Sequence, residues 1–75
     1  MVLKMNTKRI IALMEQYKRT ARINGDTRSE GQIKFILDLI ANGFEIKEAI
    51  DFAMNDMSFT NTTCRCINHI STYLD

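Results

Sequence analysis

Cys64, Cys66 and His69 fall within six positions of one another in the stretch TCRCINH, residues 63–69. By residue type they are the part of this chain best suited to grip a metal or to form a nucleophile and its base. A structural zinc takes four nitrogen or sulfur ligands, and the chain holds two cysteines and one histidine in all. If residues 62–74 are helical, positions two apart lie about 200° around the axis. Cys64 and Cys66 then point to nearly opposite sides and cannot hold one ion. Cys66 and His69 share a face, which gives two ligands and no more. The same pair, read as a thiol activated by an imidazole, lacks a nearby carboxylate to orient the histidine and a glycine-rich turn to build an oxyanion hole. Glu45, Glu48 and Asp51 follow the spacing of a solvated helix face, and no phosphate loop or paired-acid motif occurs. The expectation is a non-enzymatic domain with no metal and no cofactor, in which Cys66 is a small core residue.

The elements that would carry such residues are helical. Seventy-five residues make one domain, with 45% hydrophobic and 25% charged residues, no proline and three glycines, so little forces the chain out of a regular helix. The apolar run at residues 10–14 is too short for a signal core or a membrane span. Two cysteines one residue apart would close too strained a ring for a disulfide. A cytoplasmic protein with no membrane partner is expected. Met5 is a second candidate start, so residues 1–5 are expected to lie outside the folded unit.

Apolar periodicity predicts four helices in an all-α bundle. In the first, roughly 6–22 and capped by Asn6 or Thr7, Ile10, Leu13, Met14, Tyr17 and Ala21 share one side. INGDTR, residues 23–28, reads as an exposed connection. A second helix is expected to begin near residue 29, with Thr27 and Glu30 or Ser29 and Gln32 as a capping box. Its apolar residues Ile33, Phe35, Ile36, Leu37, Leu39, Ile40 and Ala41 cover more than half its circumference, which marks it as central. Asn42 and Gly43 stop it, and Phe44 is placed to fold back on its last turn. A third helix, about 45–55, is expected to bury Ile46, Ala49, Ile50, Ala53 and also Phe52. A fourth, capped by Thr60, Asn61 or Thr62, turns Cys66, Ile67, Ile70, Tyr73 and Leu74 inward.

Charge is unevenly spread. Residues 1–28 carry a net +5 and residues 29–75 a net −4. On the helical wheel Lys8, Lys18, Arg19 and Arg22, with Lys4 if it is helical, form a stripe opposite the apolar face, and Arg28 follows in the connection. Clustered cations of this kind gain affinity for a phosphate backbone by releasing its counterions. An acidic protein would be attracted by the same field. Tyr17 falls on the apolar side, so stacking of aromatic rings on bases is not expected. The alternative is that these cations keep the domain soluble and complement the acidic third helix.

Several stretches resemble known families. ILDLIANGFEIKEAIDFAMNDMSFTNTTCRCINHISTYL, residues 36–74, is similar to helix-turn-helix regions of the LuxR type through its LIANG, KEAI and INHISTYL segments. That resemblance implies a supporting helix at 45–54 and a recognition helix at 62–72, with Arg65, Asn68 and Thr72 reaching bases. The stretch after Ala53 is some three residues longer than that motif's turn. Gly43, Phe44, Ala49 and Ala53 resemble three-helix ubiquitin-associated domains, and a looser pattern resembles the C-terminal module of DnaD-type replication proteins. MNTKRIIALMEQYKR and SEGQIKFILDLIANGFEIKEAI resemble small T-even phage proteins encoded beside the UvsW recombination helicase. This last resemblance implies a non-catalytic accessory of phage recombination and repair, acting in the host cytoplasm and meeting DNA, the helicase or another recombination protein.

Overall fold

A computed structural model of the chain describes residues 6–74. Along them run four helices, α1 (Thr7–Ile23), α2 (Thr27–Ala41), α3 (Ile46–Asp56) and α4 (Asn61–Ser71), with no strand among the described residues. Lys4 and the expectations about residues 1–5 lie outside the described residues.

Local chemistry sets each boundary. Asn6 caps α1, its side-chain oxygen accepting from the Arg9 N–H at 2.9 Å, which satisfies one of the free donors of the first turn. The far end closes in a paired turn. The Asp26 N–H donates to Ala21 at 2.8 Å and the Gly25 N–H to Arg22 at 3.1 Å, around a glycine at φ 73° that a side chain would strain. Asp26 then opens the next helix by accepting from the Ser29 N–H at 3.1 Å and from its hydroxyl at 2.6 Å. The cap of α2 is therefore Asp26, and neither expected capping box forms there. Thr27 is already helical because the aspartate's short side chain reaches both groups. Helix α2 ends the same way, with Gly43 at φ 105° and the Phe44 N–H returning to Leu39 at 3.1 Å. At α3 the Glu45 N–H donates to the Glu48 carboxylate at 3.2 Å. At α4 the Thr63 N–H donates to the Thr60 hydroxyl oxygen at 3.1 Å.

Helix α2 packs on all three other helices, so the central position expected of it is what the fold shows. The core joins Ile10 and Met14 of α1, Ile33, Ile36 and Leu37 of α2, Ile46, Ala49, Ile50 and Ala53 of α3, and Cys66 and Ile70 of α4. Full burial of each of the larger aliphatic side chains is worth roughly 1.5–3 kcal/mol. Beyond Ser71 the chain keeps turning through i to i−3 bonds, Tyr73 to Ile70 at 3.0 Å and Leu74 to Ser71 at 3.2 Å. Both side chains therefore still reach the core's edge.

Phe52 departs from expectation: it is 49% exposed. Helix α3 leans chiefly on α2, so its flanks lack cover. Phe52 instead lies beside two half-covered rings, 6.2 Å from Phe35 and 6.1 Å from Phe44 between centroids.

A buried polar seam ties the loop at residues 57–60 to α2. Gln32 donates from Nε2 to the Ser58 carbonyl at 2.8 Å and accepts from the Thr60 N–H at 3.0 Å. The Thr60 hydroxyl is hydrogen-bonded to that of Ser29, and the Thr60 and Thr63 hydroxyl oxygens lie 3.0 Å apart. No buried side-chain nitrogen or oxygen among the described residues is left unpaired, as buried polar groups require.

Candidate nucleic-acid interface

Helix α1 buries Ile10, Met14 and Ala21, and at 100° per residue Lys8, Arg19 and Arg22 fall within about 60° of one another on the opposite side. All three are exposed. The stripe runs roughly 21 Å from Lys8 to Arg22 at 1.5 Å per residue. Arg28, exposed in the first turn of α2, adds a charge at the corner where the two helices meet.

Carboxylates interrupt this stripe. Glu15 lies between Lys8 and Arg19 on the same wheel sector, and its Oε2 is 3.1 Å from Lys18 Nζ. Lys18 is only partly exposed and sits toward the edge of the face. Arg22 Nε lies 3.9 Å from Glu30 Oε2 of α2. Exposed pairs of this kind are weak, about 0–1 kcal/mol, and are screened by salt. Lys8, Arg19 and Arg28 make no ion pair among the described residues.

Two further arginines lie outside the charge stripe, Arg65 marked only by the helix-turn-helix resemblance and Arg9 not at all. Arg9 projects from the other shoulder of α1, and Arg65 from α4, whose eleven residues NTTCRCINHIS contain no acid. Between them the Tyr17 hydroxyl and His69 Nδ1 share a 2.8 Å hydrogen bond. The two rings meet edge-on at 5.8 Å, and Tyr73 lies 5.8 Å beyond His69. Tyr17 and His69 are 52 residues apart, so only the antiparallel pairing of α1 with α4 brings them together.

The cysteines face opposite ways, Cys64 exposed and Cys66 buried. Burial pushes the Cys66 thiol up to about 12, and His69 is hydrogen-bonded to Tyr17. Cys66 is therefore uncharged at neutral pH, a poor nucleophile. With iodoacetamide at pH 8 the native protein should carry one label, at Cys64. Cys66 should react at least about a hundredfold more slowly, because only its thiolate attacks. Equal labelling by peptide mass mapping would contradict this packing. Among the described residues no three His, Cys, Asp or Glu side chains are placed to share a metal ion, and no helix is long and apolar enough to cross a membrane.

Asp26 stands at the foot of the polar seam. The Ser29 hydroxyl and then the Ser29 backbone N–H hold its carboxyl below the ordinary carboxylate range. Partial burial opposes them, and Thr62 adds a smaller lowering contribution.

Arg65, Asn68 and Thr72 are exposed, as the helix-turn-helix resemblance implies. Of the two helices of that motif, α3 rests chiefly on α2 and α4 chiefly on α1. An open groove of about 420 Å³, lined by Ile50, Met54, Ile67 and Leu74 among others, lies between them.

Among the described residues these observations define a small all-α domain of four helices, with a cationic face on α1. Compared with known proteins, the chain matches no family model, no curated protein and no solved structure.

Proposed function

We propose that this chain is a non-catalytic accessory protein of phage DNA recombination and repair, binding DNA or a DNA-handling helicase through the cationic face of α1. The observation that carries the reading is the alignment of exposed Lys8, Arg19 and Arg22 opposite buried Ile10, Met14 and Ala21. A helix presenting exposed cations along about 21 Å suits a regularly charged backbone and asks for no base recognition. The phage setting rests on the resemblance carried by residues 5–19 and 29–50.

The expected result is a salt-dependent affinity. If about four phosphates are neutralised, binding to duplex DNA should weaken roughly hundredfold between 50 and 200 mM salt. In the Arg19→Ala, Arg22→Ala double variant the log–log slope should fall by about 2 with no change in folding, because neither side chain packs in the core. Fluorescence anisotropy with labelled DNA reads both quantities. No binding at 50 mM salt to single-stranded, duplex or branched DNA would end the reading.

A second reading, in which the chain is a protein-interaction module or an inhibitor of a host enzyme, is favoured by the ridge of Phe35, Phe52 and Phe44. Two of these rings are 39% and 49% exposed, and Glu48 and Asp56 flank Phe52 on the same side of α3. Carboxylates there would repel DNA and suit an apolar partner segment that carries cations. In that case Phe52→Ser abolishes capture of the partner while Arg19→Ala, Arg22→Ala does not.

A further inference from the structure

We infer that the face between α1 and α4 is a binding site for single-stranded nucleic acid, with the Tyr17, His69 and Tyr73 rings stacking on bases and Arg9 and Arg65 holding phosphates. The inference rests on the nucleic-acid reading above and deepens it by naming the form of ligand. Helical wheels alone put Tyr17 on the apolar side. In the fold it is only half-buried, with His69 of α4 beside it and Tyr73 beyond His69.

Three features set this face apart from the outer stripe. The first is its chemistry: three aromatic rings form a continuous run with centroid spacings of 5.8 and 5.8 Å, and the central ring, His69, is exposed. Flat exposed rings accept any base, since every base has a π-face.

The second is its charge. Arg9, Leu13 and Tyr17 recur at every fourth position of α1, and Arg65 and His69 of α4 are continued at the same spacing by Tyr73 in the turn beyond it. With the helices antiparallel, the arginines bracket the rings from opposite ends. They lie roughly 18 Å apart along the axis, taking twelve residues at 1.5 Å each. Neither arginine forms an ion pair among the described residues. No carboxylate lies on α4, and the sole acid of α1, Glu15, points to its other side. On the outer stripe, by contrast, Glu15 and Glu30 each engage a cation.

The third is the hydrogen-bonding edge. Gln16 and Thr20 of α1 and Thr72, which caps the end of α4, are exposed alongside, and such groups serve unpaired base edges and sugars. A duplex hides its base faces and cannot use the rings, so this site discriminates in favour of single strands.

The two tyrosines of the chain, which has no tryptophan, are both in this face, so intrinsic tyrosine emission reports on it directly. Adding oligo(dT) to the full chain should quench that emission, and an abasic oligomer of equal charge should not. His69→Ala should weaken oligo(dT) binding by roughly tenfold, the usual scale for one stacked base, and leave duplex affinity within about twofold. Tyr73→Leu, which keeps an apolar group at the core's edge, should act alike, with circular dichroism verifying the fold of each variant. If both variants bind oligo(dT) as the parent does while Arg19→Ala, Arg22→Ala weakens duplex binding, the stacking site is wrong and the α1 reading survives. If His69→Ala lowers abasic and oligo(dT) binding equally, stacking is again refuted. If the parent binds no nucleic acid at all, both proposals fall.

Discussion

An Ile36→Asp chain is expected to be unfolded at 25 °C, with the far-ultraviolet circular dichroism of a coil. Ile36 has no exposed surface and sits on α2, the helix that packs on every other. Its replacement forfeits about 2–3 kcal/mol of apolar burial. It also places a carboxyl group where no partner exists, at a further cost of several kcal/mol whether the group ionises or takes up a proton. A domain of this length has a total stability of roughly 4–11 kcal/mol, so the two losses together consume most or all of it. Ile23→Asp is the control. Ile23 is 78% exposed, and its replacement should change stability by no more than about 0.5 kcal/mol. A cooperative, near-native melt for Ile36→Asp would mean that α2 is not the centre of the fold.

Gln32→Ala should cost about 2–4 kcal/mol, more than its single missing side chain suggests. The amide uses both of its ends, donating to the Ser58 carbonyl and accepting from the Thr60 N–H. Truncation leaves two part-buried backbone groups without partners, each worth about 1–3 kcal/mol when stranded. Thr60 is also the cap of α4, so the loss is transmitted to that helix. Gln32→Glu retains the acceptor for the Thr60 N–H and loses the donor to Ser58, and it should fall between parent and alanine. Chemical denaturation reads the total. Its location can be read from Cys66, whose iodoacetamide protection should drop as α4 opens locally before the whole domain does. An alanine variant with unchanged midpoint and unchanged Cys66 protection would show that the seam carries no stability.

Much of this architecture was legible from apolar spacing and glycine placement. The repeat of Ile10, Met14 and Ala21, the crowded face of residues 33–40 and the Ile46, Ala49, Ile50, Ala53 set each match a buried helix face. The stops at Gly25 and Gly43 match positive φ angles. Ser29, Gln32 and Thr63 were not legible as core. Short polar residues near a helix start read as caps, and only a neighbouring loop at the right height turns them inward. Phe52 was misread because a wheel reports which side is apolar and not whether anything covers it. At the candidate site, Lys8, Arg19, Arg22 and Arg28 were found by clustering, and all are exposed. The offset of Lys18 by Glu15 could have been read at i, i+3. That of Arg22 by Glu30 joins two helices and has no local signature. The meeting of Tyr17 with His69 spans 52 positions, beyond the reach of any periodicity argument.

Asp26 both receives the end of α1 and starts α2, leaving three residues, 24–26, outside helical structure at that corner. A joint so short, with its own backbone bonds on either side, has no slack. Because Ser29 in the first turn of α2 is also hydrogen-bonded to Thr60 at the foot of α4, one corner of the molecule fastens three helix ends at once.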